Sequence, residues 1–130
     1  MKTILIIASE DITNSYSGLV TLDGYMVTQS DVSEASKIAG MPLGNVLSGE
    51  IITVLCEGMV EKAEWSWVLS SPIPQTTPPT TQEIYLSAGA LAQSPPAATD
   101  KYSLMVGFPI KQTGTTSSII NFTLSQITYL

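Results

Sequence analysis

The sequence predicts an all-β protein, a compact β-sandwich or small β-barrel with bent hairpins and one long Pro-rich loop. Short runs rich in β-branched and aromatic residues recur along the chain, each bounded by Gly, Pro, Asp or Ser. The segment Ile120 to Ser125 alternates strictly between apolar and polar residues, which is typical of a half-buried strand. A Gly-apolar-Pro-apolar pattern occurs twice, at 40–43 and 107–110, each time before a polar turn and a strand that opens with Ile-Ile.

The composition is that of one domain covering residues 1–130, because a chain of this length is expected to bury a single core. The residues are 44% hydrophobic and 12% charged, which excludes disorder driven by charge. All five basic residues are Lys, eleven residues are acidic, and the net charge is −6. Phosphate-rich nucleic acids and anionic membranes both attract basic proteins, so we expect neither among the partners.

The N-terminal residues 1–12 form a possible arm. They contain the apolar run Thr3 to Ala8, which is shorter than the roughly 7–15 residues of a signal-peptide core, so we expect no secretion signal. No apolar run approaches the roughly 20 residues that span a bilayer. We predict that this segment pairs with its own sheet, pairs with a neighbouring subunit or docks on a partner.

The middle of the chain contains one candidate helix, Ser30 to Ile38, in which Ser30 is a suitable cap and Glu34 lies near the first turn. Residues 70–82 are rich in Pro and predict an extended loop between two strands, and residues 93–100 are similar. The other predicted strands are Tyr25 to Gln29, Glu50 to Cys56, Glu64 to Leu69, Glu83 to Ser87, Ser103 to Ile110 and Ser118 to Ser125.

The repeated Gly-apolar-Pro-apolar pattern has a physical reading that does not depend on ancestry. In each copy the Gly permits a bulge or a close approach of two backbones. The Pro two residues later cannot donate a ladder hydrogen bond, which places it at an edge or a bend. Two bent hairpins of the same shape are therefore expected, from Gly40 and Pro42 and from Gly107 and Pro109.

Residues for catalysis or metal binding are scarce. Histidine is absent, which removes the Ser-His-Asp triad and the commonest general base and metal ligand. Cys56 is the only cysteine, so it forms no intrachain disulfide, and we expect it to be buried beside Ile52 and Val54. We therefore predict no enzyme activity, no cofactor and no metal site. The remaining carboxylate pairs, which we expect at the solvated surface, are Glu61 with Glu64 and Glu10 with Asp11.

Uncharged and aromatic strand faces favour self-association. Trp65, Trp67 and Leu69 share one face of a predicted strand and form a wall of the core, a subunit contact or, third, a sugar-binding platform. Asn121 and Thr123 lie on a polar, uncharged strand face that suits contact with a neighbouring copy. With so much uncharged surface, a closed homotrimer is the expected state.

The order of segments from Lys37 to Phe122 resembles that of the small trimeric virion proteins of tailed bacteriophages, namely the capsid cement (decoration) and head-fibre proteins. The chain has a Lys-Ile-Ala-Gly-Met turn, a Ser-Gly-Glu-Ile-Ile-Thr-Val hairpin, a Tyr-Leu-Ser strand and a Met-Val-Gly-Phe-Pro-Ile strand in this order. The segments that carry the resemblance are residues 37–41, 47–54, 57–61, 65, 83–87, 89–91, 95–96 and 105–110.

The resemblance implies a structural protein that binds the major capsid protein on the outside of the phage head and stabilises the shell. It implies no catalytic residues. The alternative is a fibre-tip or baseplate protein that recognises the host, and a carboxylate-dependent glycosidase ranks far behind both. The residues that we expect at a subunit or capsid contact are Ile4, Ile6, Trp65, Trp67, Asn121 and Thr123.

Overall fold

The computed structural model describes residues 1–69, 83–96 and 101–130, and these residues confirm the all-β class. The candidate helix is a short 3₁₀ helix, Val32–Lys37. The predicted Pro-rich loop 70–82 lies outside the described residues. The strands are β1 Lys2–Ile7, β2 Leu19–Thr21, β3 Met26–Val27, β4 Ile38–Pro42, β5 Ile51–Glu61, β6 Trp67–Val68, β7 Ile84–Ser87, β8 Ala90–Ala92, β9 Tyr102–Ser103, β10 Met105–Pro109, β11 Thr116–Ser117, β12 Ile119–Thr123 and β13 Thr128–Tyr129.

Most of the strands belong to one antiparallel sheet with the order β3-β2-β4-β5-β12-β10-β7-β8, and β1 pairs with β5 as a further branch. Within the described residues no strand ladder joins β3 to β8, so the sheet does not close into a barrel. Its two ends nevertheless meet: the Leu91 N–H donates to the Ser17 carbonyl at 2.9 Å. The Gln29 side chain accepts a hydrogen bond from the Ala88 N–H of the β7–β8 turn.

Strand β5 is eleven residues long and serves both halves of the sheet. Residues 51–57 pair with β1, and residues 57–61 pair with β12. The register with β1 passes from Leu55 to Glu57, so Cys56 is the extra residue of a β-bulge. The predicted burial of Cys56 beside Ile52 and Val54 is wrong: Cys56 is only partly buried, because the bulge breaks the alternation of the strand.

The two bent hairpins have the same geometry, as the sequence pattern predicts. In β4–β5 the Leu43 N–H donates to the Thr53 carbonyl at 3.0 Å, and in β10–β12 the Ile110 N–H donates to the Ile119 carbonyl at 2.8 Å. The two prolines end their strands, Pro42 in β4 and Pro109 in β10. Each proline thus lies at the end of its strand, as expected for a residue that cannot donate a ladder hydrogen bond, although β4 and β10 are both interior strands of the sheet.

The repeat extends beyond these hairpins to the neighbouring strands. β2 pairs with β4 in the same register as β7 pairs with β10, and each pairing contains a one-residue irregularity at the same place. β3 pairs with β2, and β8 correspondingly pairs with β7. The matched pairs are Val20↔Gly40 and Thr21↔Ile38 in the first copy, and Ile84↔Gly107 and Tyr85↔Met105 in the second.

The chain is therefore built from two five-stranded repeat units. The first unit comprises β1, β2, β3, β4 and residues 51–56 of β5. The second unit comprises residues 57–61 of β5 followed by β7, β8, β10 and β12. In each unit the leading strand pairs with the closing strand, since β1 pairs with the first part of β5 and the second part of β5 pairs with β12. One continuous strand thus closes the first unit and opens the second.

Two hydrophobic cores lie on the faces of this sheet. We call the smaller one the N-terminal core, because the first unit and the loops beside it supply all of its buried residues. The other, the main core, belongs chiefly to the second unit and also takes in part of the first. The N-terminal core contains Ile6, Ala8, Ile12, Val20, Ala39, Ile52 and Val54. The main core contains Leu19, Val27, Ala35, Met41, Leu55, Val60, Ile84, Leu86, Tyr102, Leu104, Val106, Ile120 and Phe122.

Candidate contact surfaces

An exposed apolar feature of the sheet lies where β1 pairs with β5. Leu5, Ile7 and Ile51 are 71%, 64% and 63% exposed. Ile7 lies directly opposite Ile51, and Leu5 lies opposite Thr53 two pairs further along, so the three aliphatic side chains share one face. Single exposed aliphatic residues are ordinary on protein surfaces, whereas three on one sheet face form a candidate binding surface. We call Leu5, Ile7 and Ile51 the aliphatic patch.

The predicted contact residues of this segment, Ile4 and Ile6, point to the opposite face. Ile6 is buried in the N-terminal core and Ile4 is partly buried against it. Successive strand residues face opposite sides, so the exposed pair is Leu5 and Ile7. Little of Ile6 is left for a partner to contact, while a contact role for Ile4 remains a prediction.

A second bare row crosses three strands of the second unit. Phe108 of β10 lies opposite Asn121 of β12, and Asn121 lies opposite Met59 of β5. Phe108 is 42% and Met59 is 62% exposed, and Asn121 between them is also exposed. We call these three residues the transverse row. Thr123, the other predicted contact residue of β12, is partly buried.

Trp65 and Trp67 lie beside the main core. Their ring centroids are 6.2 Å apart and the rings are inclined at 50°. Both side chains are partly buried and pack against the main core, which matches the core-wall interpretation. The Trp67 indole N–H is buried without a hydrogen-bond partner among the described residues. A contact role for the two tryptophans remains a prediction.

The predicted carboxylate pairs lie at the surface, and the pair at the N-terminus holds loops in place. A Glu10 carboxylate oxygen accepts the Met26 N–H at 2.9 Å, and Asp11 accepts the Ser48 N–H at 2.9 Å. These bonds attach the segment after β1 to β3 and to the β4–β5 turn. All four paired acids are exposed, namely Glu10, Asp11, Glu61 and Glu64.

Among the described residues, the pKa values of two tyrosines and one lysine are clearly shifted. Burial, aided by the neighbouring Asp31, raises the pKa of Tyr102 to about 12, and its hydroxyl donates to the Thr28 carbonyl at 2.8 Å. Burial and the Glu83 carboxylate, which accepts its hydroxyl, raise the pKa of Tyr85 to about 12. Lys37 lies 3.5 Å from both Glu34 and Asp23, and these carboxylates raise its pKa. No group of three or more Cys, Asp or Glu residues in the described ranges is arranged to hold a metal ion.

Two exposed surfaces, the aliphatic patch and the transverse row, are candidate binding features of the described residues. The raised pKa values of Tyr85 and Tyr102 keep both hydroxyls protonated at neutral pH. The Tyr85 hydroxyl donates to Glu83, and the Tyr102 hydroxyl donates to the Thr28 carbonyl. In the part of the chain that the structure describes, no helix has the length and apolar content needed to span a membrane. Comparison of the chain with protein-family models, with curated proteins and with solved structures returned no match.

Proposed function

We propose that this chain is a structural protein of a tailed-phage virion, a capsid cement that binds the outside of the head as a homotrimer and stabilises it. The observation that supports the proposal most directly is the aliphatic patch, a bare sheet face suited to burial against another protein. The resemblance of residues 37–122 to capsid cement and head-fibre proteins supplies the partner, the major capsid protein.

The size of the aliphatic patch suits a contact that is weak alone and strong when repeated. Burying one large aliphatic side chain contributes about 1.5–3 kcal/mol, so three contribute about 4.5–9 kcal/mol, which is similar in size to the cost of association and makes a single contact weak. A trimer presents three patches to a shell with repeated binding positions. Linked contacts of this kind raise the overall affinity by orders of magnitude over one contact.

Binding through the aliphatic patch should depend little on salt. The patch is bordered on its own face by the uncharged residues Thr3 and Thr53. Burial of apolar surface is not screened by ions, whereas binding through ion pairs weakens as the ionic strength rises. Similar shell binding at low and high salt is therefore expected.

The test is to add purified protein to expanded shells that lack it and to measure saturable binding and shell resistance to heating. Leu5→Glu places a charge in the aliphatic patch and should abolish binding. Val68→Glu is the matched control, because Val68 is 46% exposed and lies in β6, which belongs to a different sheet from β1. Failure of the wild-type protein to bind shells, together with adhesion to bacterial surfaces or glycans, would instead support the fibre-tip alternative.

A further inference from the structure

The transverse row has a counterpart in the first repeat unit, and that counterpart is largely covered. The matched hairpin registers relate Phe108 to Met41 and Asn121 to Leu55. Met41 lies opposite Leu55, as Phe108 lies opposite Asn121. On the other side, Leu55 lies opposite Thr3 of β1, as Asn121 lies opposite Met59 of β5.

The second repeat unit of the same chain covers this counterpart in the first. Met41 and Leu55 are fully buried, and both belong to the main core together with Val106, Ile120 and Phe122 of the second unit. In the first unit this sheet face is therefore an interface between repeat units. In the second unit the same face carries a half-exposed Phe and a largely exposed Met.

We propose that the transverse row of Phe108, Asn121 and Met59 is a self-association surface that a repeat unit of a second copy of this chain covers. Inside the chain, the other repeat unit covers the equivalent face. A second copy of the chain brings two further repeat units of the same fold. Phe and Met are among the residue types enriched at protein interfaces. In an oligomer with closed symmetry, the same contact at the transverse row then joins each copy to the next.

Charge gives this contact a salt response that differs from that of shell binding. Each copy carries a net charge of −6, and the exposed Glu57 and Glu61 flank Met59 on the same strand face. Repulsion between copies is screened as ionic strength rises. Self-association should therefore tighten with salt. The inference does not depend on capsid binding, because the repeat relation holds whatever the partner is.

The experiment is light scattering coupled to size exclusion on the full chain at several micromolar concentrations and at two salt concentrations. The wild-type protein should give a multiple of 13.8 kDa, with three copies expected. Met59→Glu and the uncharged Phe108→Ser should both lower the mass toward one copy, while Leu5→Glu in the aliphatic patch keeps the wild-type mass. Thermal unfolding followed by circular dichroism identifies variants that remain folded.

Three outcomes would overturn the proposal. They are a monomeric wild-type protein at both salt concentrations, a wild-type mass in both folded row variants, and dissociation by Leu5→Glu in place of the row variants. If neither row variant folds, Asn121→Arg, at the exposed centre of the row, is measured in the same way and should also lower the mass toward one copy. Loss of shell binding with an unchanged oligomer would count against the capsid proposal alone, and a wild-type mass in both folded row variants would count against the role of the transverse row alone.

Discussion

Two glycines fix the bends of the hairpins, because a side chain at either position would collide with the backbone of the neighbouring strand. A Cβ atom built on Gly40 would lie 2.0 Å from the Leu55 carbonyl oxygen, and one on Gly107 would lie 2.1 Å from that of Asn121. Both residues also have positive φ angles, 156° and 148°, which other residues rarely adopt. The close backbone approach anticipated from the sequence is thus present in both hairpins.

Gly107→Ala should destabilise the fold by about 2–4 kcal/mol, because the strand pair must open to relieve the collision with Asn121 and the backbone must leave its positive φ. Urea unfolding measures the loss. Gly44→Ala is the matched control, since a Cβ atom there would meet nothing within 4 Å. Equal stability of the two variants would show that the hairpin accommodates the methyl group.

Tyr102→Phe should cost about 1–2 kcal/mol, because it leaves the Thr28 carbonyl without its donor. The same phenol gives a pH dependence, since its pKa is about 12 in the folded protein against 10.0 ordinarily. A raised pKa of this kind contributes stability that is complete below about pH 10 and is lost as pH rises through about 12. Urea unfolding between pH 8 and about pH 12 measures both effects.

In this comparison the free-energy gap between wild type and Tyr102→Phe should narrow as pH rises, because the variant has no phenol at this position to ionise. Tyr25→Phe, at an exposed position, is the control and should change stability little. A gap of constant size across this range would contradict the burial of the Tyr102 hydroxyl.

At the level of single strands, β1 is tested by two neighbouring substitutions on opposite faces. Ile6→Ala should cost about 2–4 kcal/mol because it opens a cavity in the N-terminal core, while Leu5→Ala should cost under about 1 kcal/mol because Leu5 is exposed. Thermal or urea unfolding of both variants gives the comparison. A larger loss for Leu5→Ala would mean that β1 presents its other face to the core.

The sequence predicts β1 well but cannot predict which of its faces is buried. All four residues from Ile4 to Ile7 are large and aliphatic, so the strand lacks the alternation that identifies the buried side. From Ile120 to Ser125 the alternation is strict, and Ile120 and Phe122 are buried as it predicts. The burial of Ile6 and the exposure of Leu5 are set by tertiary packing, which a local pattern does not contain.

Strand lengths show the same limit of local reasoning. The predicted strand Glu50 to Cys56 continues to Glu61, past a bulge and past Gly58, which has a positive φ of 147°. A glycine inside a strand weakens it, so the local sequence gives little sign that the strand continues. The predicted strand Glu64 to Leu69 is reduced to Trp67–Val68, which pairs with Thr116–Ser117.

At the scale of the whole molecule, the repeat was visible in the sequence only around its two Gly-x-Pro motifs. β2 and β7 occupy equivalent places but share no sequence signature, since Leu-Val-Thr and Ile-Tyr-Leu-Ser are alike only in being strand formers. The transverse row and its covered counterpart could not be predicted without this equivalence. Of the predicted contact residues, Asn121 is the one that lies in this row.

The continuous strand β5 predicts that the two repeat units unfold together. Ile12→Ala removes a fully buried side chain from the N-terminal core, at a position paired with Val46 and not on β5, and should cost about 2–5 kcal/mol. The two tryptophans of the chain, Trp65 and Trp67, pack against the main core, so their fluorescence reports the other unit.

Because residues 51–61 belong to both units, the loss at Ile12 should lower the tryptophan unfolding midpoint as much as the midpoint from far-ultraviolet circular dichroism. Both signals are recorded at one protein concentration, since self-association adds stability that depends on concentration. Ser48→Ala, at an exposed position in the same region, is the control and should leave both midpoints in place. A tryptophan midpoint that stays at the wild-type value while the dichroism transition splits would mean that the units fold independently and that β5 joins them without coupling them.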